Sequence, residues 1–220
     1  QFAAKEICRD MATPKESSLV KMERLARYLL GCPRQVLLFQ PCLEETTEIV
    51  VYSDSDWAGC KVTRRSTSGT VVFLGKHILT FSCRMQKSTA LSSGEAELIA
   101  QTDGLTETIG IARLLMEQDL NMKVESFCDS SAAKGTLQRL GAGRIKHLET
   151  RNLWGQNMVS RGLARITHIS RSINCADVLT HSTSKSEFMR LLTLMGVRFL
   201  YLMRIFQVAH RRGRVGCITH

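Results

Sequence analysis

The chain has 220 residues and a formal net charge of +10, with 30 lysines and arginines against 20 aspartates and glutamates. This length suits one ordinary domain with an appendage, and the positive charge favours a polyanionic partner such as nucleic acid. No apolar stretch is long enough to span a bilayer, no secretory leader is visible, and the eight cysteines show no paired spacing, so we expect an intracellular protein without membrane, zinc or disulfide sites.

Residues 1–45 predict mainly helical structure. Apolar residues recur at helical spacing between Ala3 and Leu30, and Pro14 divides this stretch into two helices. The sequence Gly31-Cys32-Pro33 ends the second helix, and a short strand is predicted at 35–39.

Residues 46–195 predict a mixed α/β domain. Apolar runs predict strands at 48–54, 70–74 and 77–82, with Gly75-Lys76 as a tight turn between the last two. Ser92 is predicted to cap the next helix, with Glu95 completing a capping box. The remaining elements are a strand at 124–129, helices at 130–137 and 148–160, a strand at 163–169 and a late helical segment around residue 177.

Four acidic residues stand at the ends of these elements. Asp54 and Asp129 end strands, Glu97 lies in the opening turn of a helix, and Asp177 begins the late helical segment. Side chains at such positions are rigidly held and can converge at one edge of a sheet, where they repel one another unless cations bind. Taken singly, Asp129 and Asp177 are equally explained as helix caps.

Two other interpretations of Asp54 fail. A calcium loop starting at Asp54 would place Ala58 and Arg65 at ligand positions. The sequence Tyr52-Ser53-Asp54-Ser55 lacks the adjacent aspartates of a polymerase motif, so no polymerase activity is assigned. Asp56 remains as plausible a loop cap as a ligand.

Five sequence blocks follow one another in a familiar order. They are Tyr-Ser-Asp-Ser-Asp-Trp-Ala-Gly at 52–59, Arg-Arg-Ser-Thr-Ser-Gly at 64–69, Ala-Leu-Ser-Ser-Gly-Glu-Ala-Glu at 90–97, Cys-Asp at 128–129 and Asn-Cys-Ala-Asp-Val-Leu-Thr at 174–180. In this order they resemble the ribonuclease H domain of copia-type retrotransposon Pol polyproteins. The resemblance extends through 146–151 and covers residues 48–195.

The resemblance implies a domain organisation and a fold. Residues 1–45 resemble the C-terminal end of the reverse transcriptase, residues 46–195 form the ribonuclease H-like domain, and residues 196–220 are a basic tail of unknown structure. The fold implied is α/β, a mixed five-stranded sheet flanked by helices and preceded by a short helical segment.

The resemblance also implies an activity, namely cleavage of the RNA strand of an RNA–DNA hybrid with two Mg²⁺ ions, for which Mn²⁺ can substitute. Asp54 would bridge both metals, Glu97 and Asp129 would flank them, and Asp177 would hold the ion on the nucleophile side. The expected partners are the hybrid and the remainder of the Pol polyprotein, in a cytoplasmic particle or the nucleus.

Candidate nucleic-acid contacts surround the four carboxylates. No acidic residue lies between Trp57 and Gly94, a stretch that contains six lysines and arginines. Seven residues are predicted contacts, with arginine and lysine assigned to phosphates and serine to 2′-hydroxyl groups: Arg64, Arg65, Lys87, Ser92, Ser93, Ser130 and His147. A solvated basic face explains the cations nearly as well, and His147 is equally explained as a structural residue at a helix start.

The chain departs from the family pattern at three positions. Gly94 stands where a threonine is usual, Ser130 replaces an asparagine, and His181 replaces a lysine. None of these changes removes a carboxylate, and no histidine is assigned as a general acid. The alternative function is therefore a catalytically inactive, eroded retroelement remnant that at most binds nucleic acid.

Overall fold

The computed structural model describes residues 1–39, 46–141, 143 and 150–199, so His147 lies outside the described residues. The elements in chain order are α1 Phe2–Cys8, α2 Glu16–Gly31, β1 Gln35–Leu37, β2 Glu48–Asp56, β3 Thr67–Leu74, β4 His77–Met85, α3 Ser93–Met116, β5 Lys123–Cys128, α4 Ser131–Leu137, α5 Thr150–Ser160, β6 Arg165–His168, α6 Lys185–Leu194 and β7 Val197–Phe199. Two 3-10 helices, Arg171–Ile173 and Cys175–Leu179, connect β6 to α6.

The main sheet has five strands in the order β4-β3-β2-β5-β6. β2, β3 and β4 pair in antiparallel fashion. Residues 57–66 connect β2 to β3, and Gly75 makes the tight β3–β4 turn with φ +58°. β5 joins β2 in parallel fashion, and β6 joins β5 in the same way. The predicted mixed five-stranded sheet flanked by helices is confirmed, and β2 is its central strand.

Alternate residues of the strands supply two separate cores because side chains of a strand point to opposite faces. Val72 packs with Ile49, Leu98 and Leu105 in the core beneath α3, α4 and α5. Its neighbours on the strand pack on the other face, in a core that contains residues of the 175–179 helix and α6. Each fully buried aliphatic side chain contributes about 1.5–3 kcal/mol to the free energy of unfolding, so packing on both faces stabilises the sheet.

Two glycines allow helices to approach the strands closely. A Cβ on Gly69 of β3 would lie 2.9 Å from the Ala176 carbonyl oxygen and from side-chain atoms of Leu179 and Thr180. A Cβ on Gly104 of α3 would lie 2.4 Å from Ser53 Oγ on β2. The 175–179 helix and α3 therefore rest directly on the centre of the sheet, from opposite sides.

The strand that follows α2 pairs with the last strand of the described chain. β1 and β7 form a two-stranded antiparallel sheet in which Gln35 faces Phe199, and Val197 is buried in the core beneath α6. The predicted division at residues 45 and 195 therefore separates two strands that pair in the structure, and the division itself stays a prediction. Among the described residues, no helix combines the length and apolar character needed to cross a membrane.

Candidate metal centre

The first carboxylate of the site is held at the middle of the sheet. Asp54 lies on β2 and is only 5% exposed, and the Thr180 hydroxyl donates a hydrogen bond to its Oδ2 atom. Burial raises the pKa of Asp54 to about 7, the Thr180 hydrogen bond opposes this rise, and the charges of Asp129 and Asp177 add to it. The metal-free site therefore favours a proton or a cation at this position.

The two glutamates in the first turns of α3, Glu95 and Glu97, make different contacts. Glu95 N donates to Ser92 Oγ over 3.2 Å, so Ser92 caps the helix as predicted. The Glu95 side chain reaches back beyond the cap, where Leu91 N donates to its Oε2 atom over 2.8 Å. Glu97 instead accepts a hydrogen bond from Ser55 N on β2 over 3.3 Å. Glu95 therefore serves the helix, whereas Glu97 faces the sheet beside Asp54.

The environment of Glu97 suits a cation ligand. Its Oε2 atom is buried, and the described part of the chain offers that atom no hydrogen-bond partner. Burial raises the pKa of Glu97 to about 8, and the charges of Asp54 and Asp129 contribute to the rise. A buried carboxylate oxygen without a donor is costly, and a bound cation would satisfy it.

Neither of the other two aspartates caps a helix. Tyr52 pairs with Phe127 across the parallel strands, so Asp54 lies two residues further along β2 and Asp129 lies at the matching position just past the end of β5. The cap of α4 is Ser130, whose hydroxyl accepts from Ala133 N over 3.2 Å. The cap of the 175–179 helix is the buried Asn174 side chain, and both carboxylates are therefore left for the site.

Asn174 also fixes the position of the fourth carboxylate. Its Nδ2 donates to the Ser53 carbonyl oxygen over 3.0 Å, and its Oδ1 accepts from Ala176 N over 3.2 Å. These bonds attach the 175–179 helix to β2 beside Asp54. The role of Asn174 in this sequence block is therefore to position Asp177.

The four carboxylates fall into two groups that share one residue. Ligand atoms of Asp54, Glu97 and Asp129 lie within 4.8 Å of one another. Ligand atoms of Asp54, Asp177 and His181 form a second group within the same distance. Oxygen-rich groups of this size can hold divalent cations after small side-chain adjustments, with Asp54 contributing to both.

Two residues of the site were not predicted from the sequence as parts of it. Arg171 Nε donates to Asp177 Oδ1 over 3.1 Å, and His181 Nε2 lies 3.4 Å from Asp177 Oδ2. His181 was noted only as a departure from the family pattern. Its separation of four residues from Asp177 was the available signal, since that spacing brings side chains together on a helical turn.

The predicted nucleic-acid contacts lie mostly on exposed surface. Arg64 and Arg65 belong to the loop between β2 and β3, which begins after Asp56, two residues beyond Asp54. Lys87 is exposed in the loop before α3, and Ser93 lies one helical turn before Glu97 on that helix. The assignment of these residues to a substrate stays a prediction.

Ser92, Ser130 and Asp56 have structural roles. The hydroxyl oxygens of Ser92 and Ser130 accept backbone N–H groups as helix caps, which leaves each hydroxyl hydrogen for another acceptor. Asp56 Oδ1 accepts from Thr67 N and holds the start of β3. Asp56 is thus explained as a loop anchor.

Comparisons with known proteins identify relatives among transposons. The retrovirus-related Pol polyprotein from transposon RE1 of Arabidopsis thaliana is 30% identical over 199 residues, which cover 89% of this chain and 13% of that protein. The corresponding polyprotein from transposon TNT 1-94 of Nicotiana tabacum is 30% identical over 196 residues, 87% of this chain and 14% of that protein. No family model matches the chain.

Solved structures of ribonucleases H are also similar. LC11-RNase H1, isolated from compost, aligns with a TM-score of 0.47 and 21% identity over 61% of this chain and 93% of its own. The N-terminal RNase H domain of a Mycobacterium tuberculosis protein aligns with a TM-score of 0.46 and 17% identity over 67% of this chain and 98% of its own. The fold assignment rests on the strand order and pairing of this chain.

The sheet order and the elements around it define a ribonuclease H-like domain. The chain is homologous to a segment of the retrovirus-related Pol polyproteins of transposons, so the predicted resemblance is confirmed. It spans 13–14% of the length of these curated relatives.

Proposed function

We propose that this chain is a metal-dependent endonuclease that cleaves the RNA strand of RNA–DNA hybrids as part of a transposon Pol polyprotein acting inside the cell. One observation carries the proposal: Asp54 belongs to two adjacent groups of ligand atoms, one with Glu97 and Asp129 and one with Asp177 and His181. This arrangement suits a pair of divalent cations that share a carboxylate.

The residues fit Mg²⁺ in the first group, with Mn²⁺ as a substitute. Asp54, Glu97 and Asp129 supply oxygen atoms, and Glu97 Oε2 has a lone pair that nothing among the described residues occupies. A bound pair of such cations supplies an activated water and stabilises the leaving oxygen of a phosphodiester. The role of the chain is to hold these carboxylates on rigid elements and, through Asn174, to fix Asp177 beside them.

The surface around the carboxylates supports binding of a hybrid. Arg64, Arg65 and Lys87 are exposed and can contact phosphates, which contributes sequence-independent affinity. The hydroxyls of Ser93 and Ser130 flank Glu97 and Asp129 along the chain and can donate to a 2′-hydroxyl. A 2′-hydroxyl contact distinguishes an RNA strand from a DNA strand.

Cleavage of two labelled duplexes of the same sequence, an RNA–DNA hybrid and a duplex DNA, tests this function. With Mg²⁺, the protein should cut the RNA strand of the hybrid and leave duplex DNA intact. Asp54→Asn should lower the rate by several orders of magnitude because it removes the charge shared by both groups. The matched control is Asp119→Asn, in an exposed turn with φ +60° that asparagine tolerates, and it should cleave normally. Equal cleavage by Asp54→Asn would contradict the proposal.

One observation favours the second candidate, a non-catalytic nucleic-acid-binding remnant. Arg171 donates to one carboxylate oxygen of Asp177, a protonated His181 would pair with the other, and such contacts compete with a metal ion. The same assay separates the two candidates. A remnant would bind the hybrid in a salt-dependent manner and would show no Mg²⁺-dependent cleavage.

A further inference from the structure

His181 is held between two residues of the site. Its Nδ1 atom lies 3.2 Å from Thr180 Oγ1, and its Nε2 atom lies 3.4 Å from Asp177 Oδ2. Its ligand atom also lies within 4.8 Å of those of Asp54 and Asp177. The imidazole therefore belongs to the same group of ligand atoms as two buried carboxylates.

The Thr180 hydroxyl has one hydrogen and two oxygen acceptors, Asp54 Oδ2 and the Asp177 carbonyl oxygen 3.0 Å away. When either oxygen takes this hydrogen, Thr180 Oγ1 can only accept from His181 Nδ1. That contact places the proton of a neutral imidazole on Nδ1. This leaves the Nε2 lone pair facing a carboxylate oxygen, an arrangement that is repulsive unless a proton or a metal cation lies between them.

We propose that Nε2 of His181 is a metal ligand, which makes the Asp177 position prefer a transition-metal dication such as Mn²⁺ to Mg²⁺. Transition-metal ions accept imidazole nitrogen, whereas Mg²⁺ strongly favours oxygen ligands. Thr180 fixes the ring in the metal-binding tautomer, as hydrogen-bond partners of ligand histidines commonly do. This inference rests on the proposed function, because it concerns one of the two metal positions proposed there.

The surroundings of His181 allow an ion to reach it. A solvent-open pocket of about 400 Å³ is lined by Asp177, His181 and Arg171 among others. The Arg171 side chain, which contacts Asp177 Oδ1, is 72% exposed. Asp177 is 8% exposed and stays in the site, whereas the exposed guanidinium of Arg171 can move into solvent when a divalent cation replaces its charge beside Asp177.

The test uses the full chain and Mn²⁺ alone as the probe. Electron paramagnetic resonance measures bound Mn²⁺, and electron spin-echo modulation detects a directly coordinated ¹⁴N. We expect the nitrogen signal in the unmodified protein and its loss in His181→Gln. Mn²⁺ affinity at that position should fall by at least the about 10-fold that loss of an outer-shell partner typically costs. Mg²⁺ affinity should change far less, because glutamine still offers an oxygen ligand.

The matched control is His168→Gln, which alters a second exposed imidazole near the site. His168 Nε2 lies 3.0 Å from the Asp129 carbonyl oxygen, so its ring is close to the first group of carboxylates. The nitrogen signal should persist in this variant. A signal that survives His181→Gln, or bound Mn²⁺ without any nitrogen signal, would overturn the assignment of His181.

The outcomes also separate this inference from the proposed function. Mg²⁺-dependent hybrid cleavage without nitrogen coordination would refute the role of His181 and retain the nuclease. Nitrogen coordination without hybrid cleavage would retain the metal site and refute the nuclease. Absence of any bound Mn²⁺ would overturn the assignment of His181 and remove the physical basis of the nuclease as well.

Discussion

The metal-free protein should lose stability as the pH rises, and Asp54 should account for a large part of the loss. Burial raises the pKa of Asp54 to about 7 from an ordinary value of 3.8. A group whose pKa is raised on folding contributes stability that is fully present below its unfolded pKa and disappears as the pH passes its folded pKa. For Asp54 this window runs from about pH 4 to about pH 7.

The difference between the two pKa values corresponds to about 4 kcal/mol, at about 1.36 kcal/mol for each pH unit. Glu97, with a pKa raised to about 8 in part by the charge of Asp54, extends the same loss to slightly higher pH. Replacing Asp54 by asparagine removes the titrating group and one of the repelling charges. The stability of Asp54→Asn relative to the unmodified protein should therefore increase by about 4 kcal/mol between pH 4 and pH 8.

Urea unfolding with a metal chelator, at several pH values between 4 and 8, measures the difference in stability between Asp54→Asn and the unmodified protein. Comparison of the two proteins at each pH cancels the contributions of titrating groups that do not interact with Asp54. The control Asp119→Asn should follow the unmodified protein, since its side chain is exposed. Parallel stability curves for Asp54→Asn and the unmodified protein would refute the reasoning from burial.

A divalent cation should reverse this loss of stability at pH 8. Mg²⁺ at about 100 times its dissociation constant should stabilise the unmodified protein by about 2.7 kcal/mol, because the ion binds the folded state. Asp54→Asn should gain much less, since it lacks the shared carboxylate. A gain of equal size in both proteins would show that Mg²⁺ binds elsewhere.

Three further predictions concern catalysis, packing and substrate affinity. Asp129→Asn should lower hybrid cleavage by orders of magnitude in a gel assay, whereas a filter-binding assay should show unchanged affinity for the hybrid. Loss of binding and folding together would mark Asp129 as a structural residue. Gly69→Ala should destabilise the protein by about 1–3 kcal/mol in thermal melts and impair cleavage, because the added Cβ meets the 175–179 helix. The control Gly110→Ala, which has open space around it on α3, should be neutral or stabilising in the same melts. Arg64→Gln and Arg65→Gln should each weaken hybrid binding and reduce the slope of log affinity against log salt by about 1, and an unchanged slope would place that side chain away from phosphate.

The order and type of the central elements could be predicted from the sequence, whereas several boundaries could not. The polar residues Thr67, Ser68 and Gly69 were not predicted as strand, yet they begin β3 because they pair with the polar end of β2. The pairing partner, which is remote in sequence, determines strand structure there more than local composition does. The pairing of β1 with β7 was missed for the same reason.

The sequence by itself predicted a common site for four acidic residues, from their places at strand ends and helix starts and from the order of five blocks. Tertiary structure was needed to show that Ser130 and Asn174 provide the helix caps, and so leave Asp129 and Asp177 for the site. It was equally needed to place His181 beside Asp177 and the Thr180 hydroxyl against Asp54, a residue 126 positions away in the chain. Local periodicity encodes which face of an element is apolar, but hydrogen bonds and charge repulsion depend on distances that exist only once β2, β5 and the 175–179 helix have packed together.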